Sequence, residues 1–253
     1  MKIIISPSKK MREDSDSIAP RSEPMFLERA EILLQHLRGL SYEELKKLLQ
    51  CNDSIASLNF ERFQRMDLSR DSACCSPAIL SYDGIQYQYM GAQVLTEEAL
   101  CYLEEHLRIL SGFYGILRPL DGVTPYRLEM QAKVKTDFCR NLYDFWGSDL
   151  AKALLGEDCS VVLNLASAEY TKAVRPHLGK NATMVDVIFG EWDGDKIREK
   201  GVYVKMARGA MVRYLAERQA QSVEDVKTFE ELGFQYCGEL SHNTTLVFLR
   251  CKE

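Results

Sequence analysis

Two short apolar runs do most to constrain this chain: Lys2–Ile5, with three consecutive isoleucines, and Val161–Leu165. Runs of four or five residues rich in β-branched side chains are too short for a stable helix and fit buried strands. A strand that is apolar at successive positions needs cover on both faces, so helices must pack on the sheet it joins. Further strands are expected over Tyr126–Met130, Ala182–Phe189, Val202–Lys205 and Thr244–Leu249, with a strand–turn–strand over Pro77–Met90 around Gly84. Helical spacing marks Phe26–Leu37, Asp53–Phe63, Asp137–Leu155 and Ala207–Arg218. Ser41 with Glu44 makes a capping box for a helix through Leu49. Thr96, followed by Glu97 and Glu98, opens a helix to about Leu110, and Ser222 with Asp225 opens another. Residues 6–24, with three prolines, read as a loop. The irregular alternation predicts an α+β (mixed α/β) fold: a mixed central sheet flanked by helices, as one domain over 1–253.

The 253 residues are 46% hydrophobic, enough for a buried core. No apolar run approaches the ~20 residues needed to span a bilayer. The first residues turn polar too soon for a signal peptide. The expectation is therefore a cytoplasmic chain with no membrane partner. Eight cysteines, at 51, 74, 75, 101, 139, 159, 237 and 251, include no C-x-x-C, and the four histidines fall at no metal-ligand spacing. Scattered thiols in such a chain read as small core side chains. No metal and no cofactor is expected, and iron ligation by a subset of cysteines finds no support in their spacing.

The net charge of −5 conceals a segregated pattern. Residues 1–12 carry net +4, residues 106–142 net +3 and residues 196–218 net +5, so three stretches hold +12 and the remainder −17. If folding gathers the three stretches, they make a basic cleft on an acidic protein, and exposed charge beyond about 8–10 Å is screened at physiological salt. Taken singly, each stretch reads first as an ordinary solvated face.

Several local constellations fit phosphate contact. In Leu110-Ser-Gly-Phe-Tyr-Gly115, Gly112 and Gly115 permit a tight turn whose amides could approach a phosphate. The stretch is similar to the hairpin of helix-hairpin-helix DNA-binding motifs, with one extra residue between the glycines. A helix end followed by a turn fits the same residues. Arg127 and Glu129 are two apart, so in a strand they share a face. The expected strand over Val161–Leu165 runs into a helix beginning near Ser167, where free amides, with Asn164 alongside, form an anion site. Lys205, Arg208 and Arg213 surround a helix start, and Lys9 follows the first strand in a position common for binding loops. Phe145 and Trp146 read as core.

These segments together resemble the YaaA family of bacterial peroxide-stress proteins. The matching blocks are Ile5-Ser-Pro-Ser-Lys9, His106-Leu-Arg through Arg118-Pro-Leu-Asp121, and Pro125–Met130. They continue with Leu142–Gly147, Asn164–Tyr170, Ala207-Arg-Gly209 and Val247-Phe248, in that order. The chain departs from the family most in its cysteines and after Glu239. The resemblance implies a family-specific mixed α/β fold and binding of double- and single-stranded DNA in a basic cleft with a helix-hairpin-helix-like element. It further implies protection against peroxide by limiting free intracellular iron.

Three functions follow. The first is a DNA-binding protein without sequence preference. Its phosphate contacts would be Lys9, Arg108, Arg118, Arg127, Lys172, Lys205, Arg208 and Arg213, with Gly112 and Gly115 shaping the hairpin and Asn164 and Ser167 polarising the anion site. No long basic recognition helix is present to read bases. The second is an enzyme acting on a small phosphorylated or nucleotide-like ligand in a polar pocket around Arg127, Glu129, Asn164 and Arg208. Ser6, Lys9, Ser167, Glu169, Tyr170 and Lys205 would stand nearby, and Glu129 or Glu169 would do acid–base work. No recognised catalytic motif accompanies this set. The third, direct iron sequestration, lacks a grouped ligand set and ranks last.

Overall fold

Ile3, Ile4 and Ile5 are fully buried, which places their strand in the middle of a sheet. The computed structural model describes residues 1–13, 18–68, 75–156, 159–180 and 182–250. Cys74, Cys251 and positions 14–17 of the expected 6–24 loop lie outside the described residues. Eight strands form the main sheet: β1 (Lys2–Ile5), β5 (Leu107–Ser111), β6 (Gly115–Leu117), β8 (Val161–Leu165), β9 (Thr183–Asp193), β10 (Lys196–Arg198), β11 (Phe234–Tyr236) and β12 (Thr245–Arg250). Their order is β11-β12-β9-β8-β1-β5-β6, with β10 folded back on β9. The inner neighbours β5, β1, β8, β9 and β12 run parallel, and β6, β10 and β11 pair antiparallel. Parallel strands need cover on both faces, and helices supply it. Two short pairings lie outside the sheet: β2 (Lys10–Met11) with β4 (Tyr82–Asp83), and β3 (Ser76–Pro77) with β7 (Gly122–Val123).

The helices are α1 (Leu27–Arg38), α2 (Tyr42–Leu49), α3 (Asp53–Arg65), α4 (Ala78–Ser81), α5 (Ile85–Met90), α6 (Glu97–His106), α7 (Leu142–Trp146), α8 (Asp149–Leu155), α9 (Ala168–Thr171), α10 (Gly201–Glu217) and α11 (Val223–Lys227). Local chemistry starts many of them. Ser41 and Glu44 form the expected capping box, Thr96 accepts from the Ala99 amide, and Ser222 with Asp225 boxes α11. This is an α+β fold with a mixed sheet. No helix of the described residues is long and apolar enough to cross a membrane.

The structure departs from the local pattern in five places. Residues 77–90 form α4 and α5 around the two-residue β4, because α5 lies flush against α10. A Cβ at Gly209 would stand 2.1 Å from the Gln86 carbonyl oxygen, so only glycine allows that approach. Residues 202–205 are not a strand; they extend α10, whose buried Val204, Ala207 and Met211 continue one face. Gly147, at φ +50°, divides the expected 137–155 helix into α7 and α8. Residues 126–130 have no strand partner. Finally, α6 stops at His106 because Leu107–Ile109 pair with Ile3–Ile5.

That last change removes the helix-hairpin-helix-like element. Residues 107–117 form a β-hairpin, with Ser111 opposite Gly115. The Ser111 hydroxyl accepts from the amides of Phe113 (3.1 Å) and Tyr114 (2.8 Å), so the turn amides point inward. Trp146 Nε1 donates to the Gly112 carbonyl at 3.1 Å. A Cβ at Gly112 would meet the Leu128 carbonyl at 2.4 Å, and one at Gly115, which sits at φ +79°, would meet the Trp146 ring at 2.8 Å. Both glycines are buried core contacts. Gly112→Ala should therefore destabilise the fold by about 1–3 kcal/mol through overpacking, read as a lower urea midpoint.

Asp121 closes the segment after the hairpin. Its carboxylate accepts from Ser22 Oγ (2.6 Å) and from the Arg118 amide (2.7 Å), and it is 2% exposed. Burial pushes its pKa up to about 6, against the two hydrogen bonds that favour the anion. The folded value lies above the unfolded one, so the folded state holds the proton longer. The associated stability is present below pH ~4 and is lost as pH rises through about 6, amounting to about 3 kcal/mol for a two-unit shift. Asp121→Asn should flatten that section of the stability–pH curve, measured by urea unfolding between pH 4 and 7.

Candidate functional site

Chain order and sheet order together locate a crevice. From β1 the chain adds β5 on one side, then returns to place β8 on the other and continues outward to β9 and β12. The β1–β8 boundary is thus the topological switch point, and in open α/β sheets ligands sit outside the strand carboxyl ends at such a point. The residues that follow these two strands meet there. The Ser6 hydroxyl accepts from the Ser167 amide at 2.8 Å and donates to Ser167 Oγ at 3.2 Å, and Tyr87 donates its phenol to the Ser6 carbonyl at 3.0 Å. Asn164 braces the turn. Its carbonyl accepts from the Ala166 amide and from Thr171 Oγ1, both at 3.0 Å, and its amide donates to Asp186 at 2.7 Å.

These bonds revise one expectation. The amides of residues 166 and 167 are engaged by Asn164 and Ser6, so these two are not open to an anion, and α9 is a single turn of four residues. Asn164 and Ser167 shape the floor and hold β1, β8 and β9 in register.

Two polar crevices flank this floor. One, of about 500 Å³, is lined by Asn164, Thr171, Lys172, Asp186, Glu199 and Arg208 among others. Asp186 is paired with Arg175 at 2.6 Å. Arg208 is half-buried on α10, and its Nε is buried without a hydrogen-bond partner. Burial lowers its pKa, and Glu199 partly opposes that shift. The second crevice, of about 360 Å³, is lined by Lys9, Gln50, Arg127, Glu129, Gln131 and Lys133 among others. Lys9 Nζ (3.1 Å) and Arg127 Nη2 (2.9 Å) converge on one oxygen of Glu129. Beside it, Glu169 accepts from the Gln131 amide at 3.1 Å. Burial, and then the Glu129 charge, raise the Glu169 pKa. The arrangement can hold an anion, and it sets a carboxyl with raised proton affinity near an ion-paired carboxylate.

The remaining expected contacts lie elsewhere. Arg108 is in β5, and the β5–β6 register sets Arg118 across from it, with Lys2 at the start of β1. These three cations occupy the opposite, amino edge of the sheet. Arg108 donates to the carbonyls of Glu104 (2.8 Å) and Leu107 (2.6 Å), and burial followed by the Arg118 charge lowers its pKa. Arg213 pairs with Glu217 at 2.7 Å. Lys172 lies over the Tyr143 ring at 5.0 Å, and Lys205 is exposed one turn before Arg208. Gly112 and Gly115 are in the core. The three basic stretches therefore distribute over two edges of the sheet. Sequence reasoning missed Thr171, Arg175, Asp186, Glu199 and Lys133. Only Asp186, an acidic residue inside an apolar strand, carried a visible signal. Among the described residues, no group of three or more His, Cys, Asp or Glu side chains could hold a metal ion.

The sequence model of a family described as "Peroxide stress protein YaaA" matches residues 1–240. A UPF0246 protein of Desulfitobacterium hafniense is 57% identical over 250 residues, covering 99% of this chain and 98% of the relative. UPF0246 proteins of Lachnoclostridium phytofermentans (51%, covering 99% and 96%) and Pediococcus pentosaceus (46%, covering 99% and 98%) align over the same extent.

The Asn164 brace gives a direct test. Asn164→Ala leaves the Ala166 amide unpaired in a buried turn, while the Thr171 hydroxyl keeps the Ser167 carbonyl as its acceptor. The expected loss is about 1–3 kcal/mol, read from urea unfolding, and an unchanged midpoint would contradict the bracing role.

Proposed function

This chain belongs to the peroxide stress protein YaaA family, and from that premise we propose that it serves the stress response by binding a phosphate-bearing nucleotide at its sheet switch point, with Arg208 as the principal contact. The observation that carries this reading is the Arg208 guanidinium. A desolvated cation with an unpartnered buried Nε is costly unless an anion completes it. The planar guanidinium suits a phosphate, to which it can donate two parallel bonds. Its crevice adjoins the carboxyl end of β8, beside the β1–β8 switch point where such folds most often receive ligands. Lys172 adds positive charge at the rim, and Asn164 and Thr171 give the floor its polar lining.

A polymeric ligand is the second reading. Exposed Lys172 and Lys205 beside Arg208 would suit successive phosphates of DNA, bound without base readout. On this reading Arg108 and Arg118, at the other edge, stay outside the track. Limitation of free iron would then be a downstream consequence of binding, with DNA or nucleotide as the direct partner.

Fluorescence polarisation with labelled single- and double-stranded oligonucleotides, in competition with a nucleoside monophosphate, tests both. Arg208→Ala should weaken nucleotide binding at least tenfold, and unchanged binding would overturn the reading. If DNA is the ligand, Lys172→Ala and Lys205→Ala should each reduce the salt slope by about 0.7 for a single strand.

A further inference from the structure

The two crevices share a wall. Ala166 and Ala168 line the Arg208 crevice, and the residue after Ala168, Glu169, accepts from the Gln131 amide in the wall of the other. Each crevice also contains an arginine with the same defect. Among the described residues, five buried side-chain nitrogen or oxygen atoms lack a hydrogen-bond partner, and the charged ones are Arg127 Nε and Arg208 Nε. Arg127 is 13% exposed and satisfies one amino nitrogen on Glu129.

The charges repeat the pattern. Around Arg208 stand Lys172 and Arg175 against Asp186 and Glu199. Around Arg127 stand Lys9 and Lys133 against Glu129, with Glu169 behind. In each case three cations face two carboxylates. Lys9 and Arg127 share a single Glu129 oxygen, which leaves both with donors to spare. One anion in the Arg208 crevice therefore leaves the Arg127 side equally uncompensated.

We propose that the switch point takes a ligand with two separate phosphate groups, one at Arg208 and one at Arg127 with Lys133, so that it selects a nucleoside bisphosphate over a monophosphate. This rests on the reading that the Arg208 crevice binds a phosphate. The two groups need not come from a free metabolite: a nucleoside 3′,5′-bisphosphate is also the repeating unit of a nucleic-acid strand. The sugar would cross the Ser6–Ser167 contact, where Ser167 Oγ accepts from Ser6 and keeps its own proton to donate. Linking two modest anion sites through one ligand makes the second contact intramolecular and multiplies affinity.

Titration calorimetry on the full chain with adenosine 3′,5′-bisphosphate and adenosine 5′-monophosphate tests this. The bisphosphate should bind at least tenfold tighter. Arg127→Gln should bring the two affinities together while monophosphate binding is retained. Lys133→Ala, at an exposed loop position that leaves packing intact, should reduce the ratio in the same direction. Arg208→Gln should weaken both ligands. Equal affinities in the unmodified protein, or a ratio that survives both Arg127→Gln and Lys133→Ala, would overturn the two-phosphate site and leave the Arg208 reading standing. If neither nucleotide binds, the Arg208 reading falls and the second site with it. A single-stranded thymidine oligonucleotide that displaces the bisphosphate with higher affinity assigns the two phosphates to a strand. Weaker displacement assigns them to a free nucleotide, and either result supports the paired site.

Discussion

The structure depends on the double-sided burial of β1. Ile3, Ile4 and Ile5 have no exposed surface, and both edges of their strand are used, by β5 on one side and β8 on the other. A strand with no free edge and no free face can be placed in one position only. The residues that follow it, Ser6 through Lys10, are thereby delivered to the carboxyl edge of the sheet. The same argument applied to β8 delivers Asn164 through Glu169 to the adjoining position. Ordinary hydrophobic burial thus brings polar residues some 160 positions apart within hydrogen-bond distance, as in Ser6 with Ser167.

Close backbone approach is the second constraint. At Gly209 a helix lies against the Gln86 carbonyl, and at Gly112 the hairpin lies against Leu128. The first contact fixes the rotation of α10 and so the direction of Arg208. The second turns Gly112 and its neighbours into core. Gly112 reads from the sequence as a site of phosphate approach, since the physical requirement is identical: room for something where a Cβ would be. What fills that room is a carbonyl of the chain itself in each case.

The acidic average needs the same separation of scales. Lys2, Arg108 and Arg118 gather at the amino edge of the sheet, and Lys9, Arg127, Lys172 and Arg208 at the carboxyl edge. Many cations between are neutralised by close carboxylates, such as Arg213 with Glu217, Arg175 with Asp186 and Lys10 with Asp83. Net charge by segment identifies which stretches are basic. It does not say which edge of a sheet they reach, since that depends on strand direction.

Local sequence determined what local energetics control. The strands β1, β8, β9 and β12 and the helices α1, α2, α3 and α11 follow from apolar runs, helical periodicity and caps, whose interactions close within a few residues. The residues most useful to the site, Lys9, Arg127, Glu129, Asn164, Ser167 and Arg208, were also identifiable as polar groups next to apolar elements. Only the tertiary structure decided which of them meet. It placed Arg108 and Arg118 at the far edge, buried the glycine hairpin, extended α10 backward through residues 201–206, and joined Asp186, Arg175 and Glu199 to the crevice. Those outcomes rest on strand order and helix–helix contact, whose energies come from pairings across the chain and leave no periodic trace in a local window.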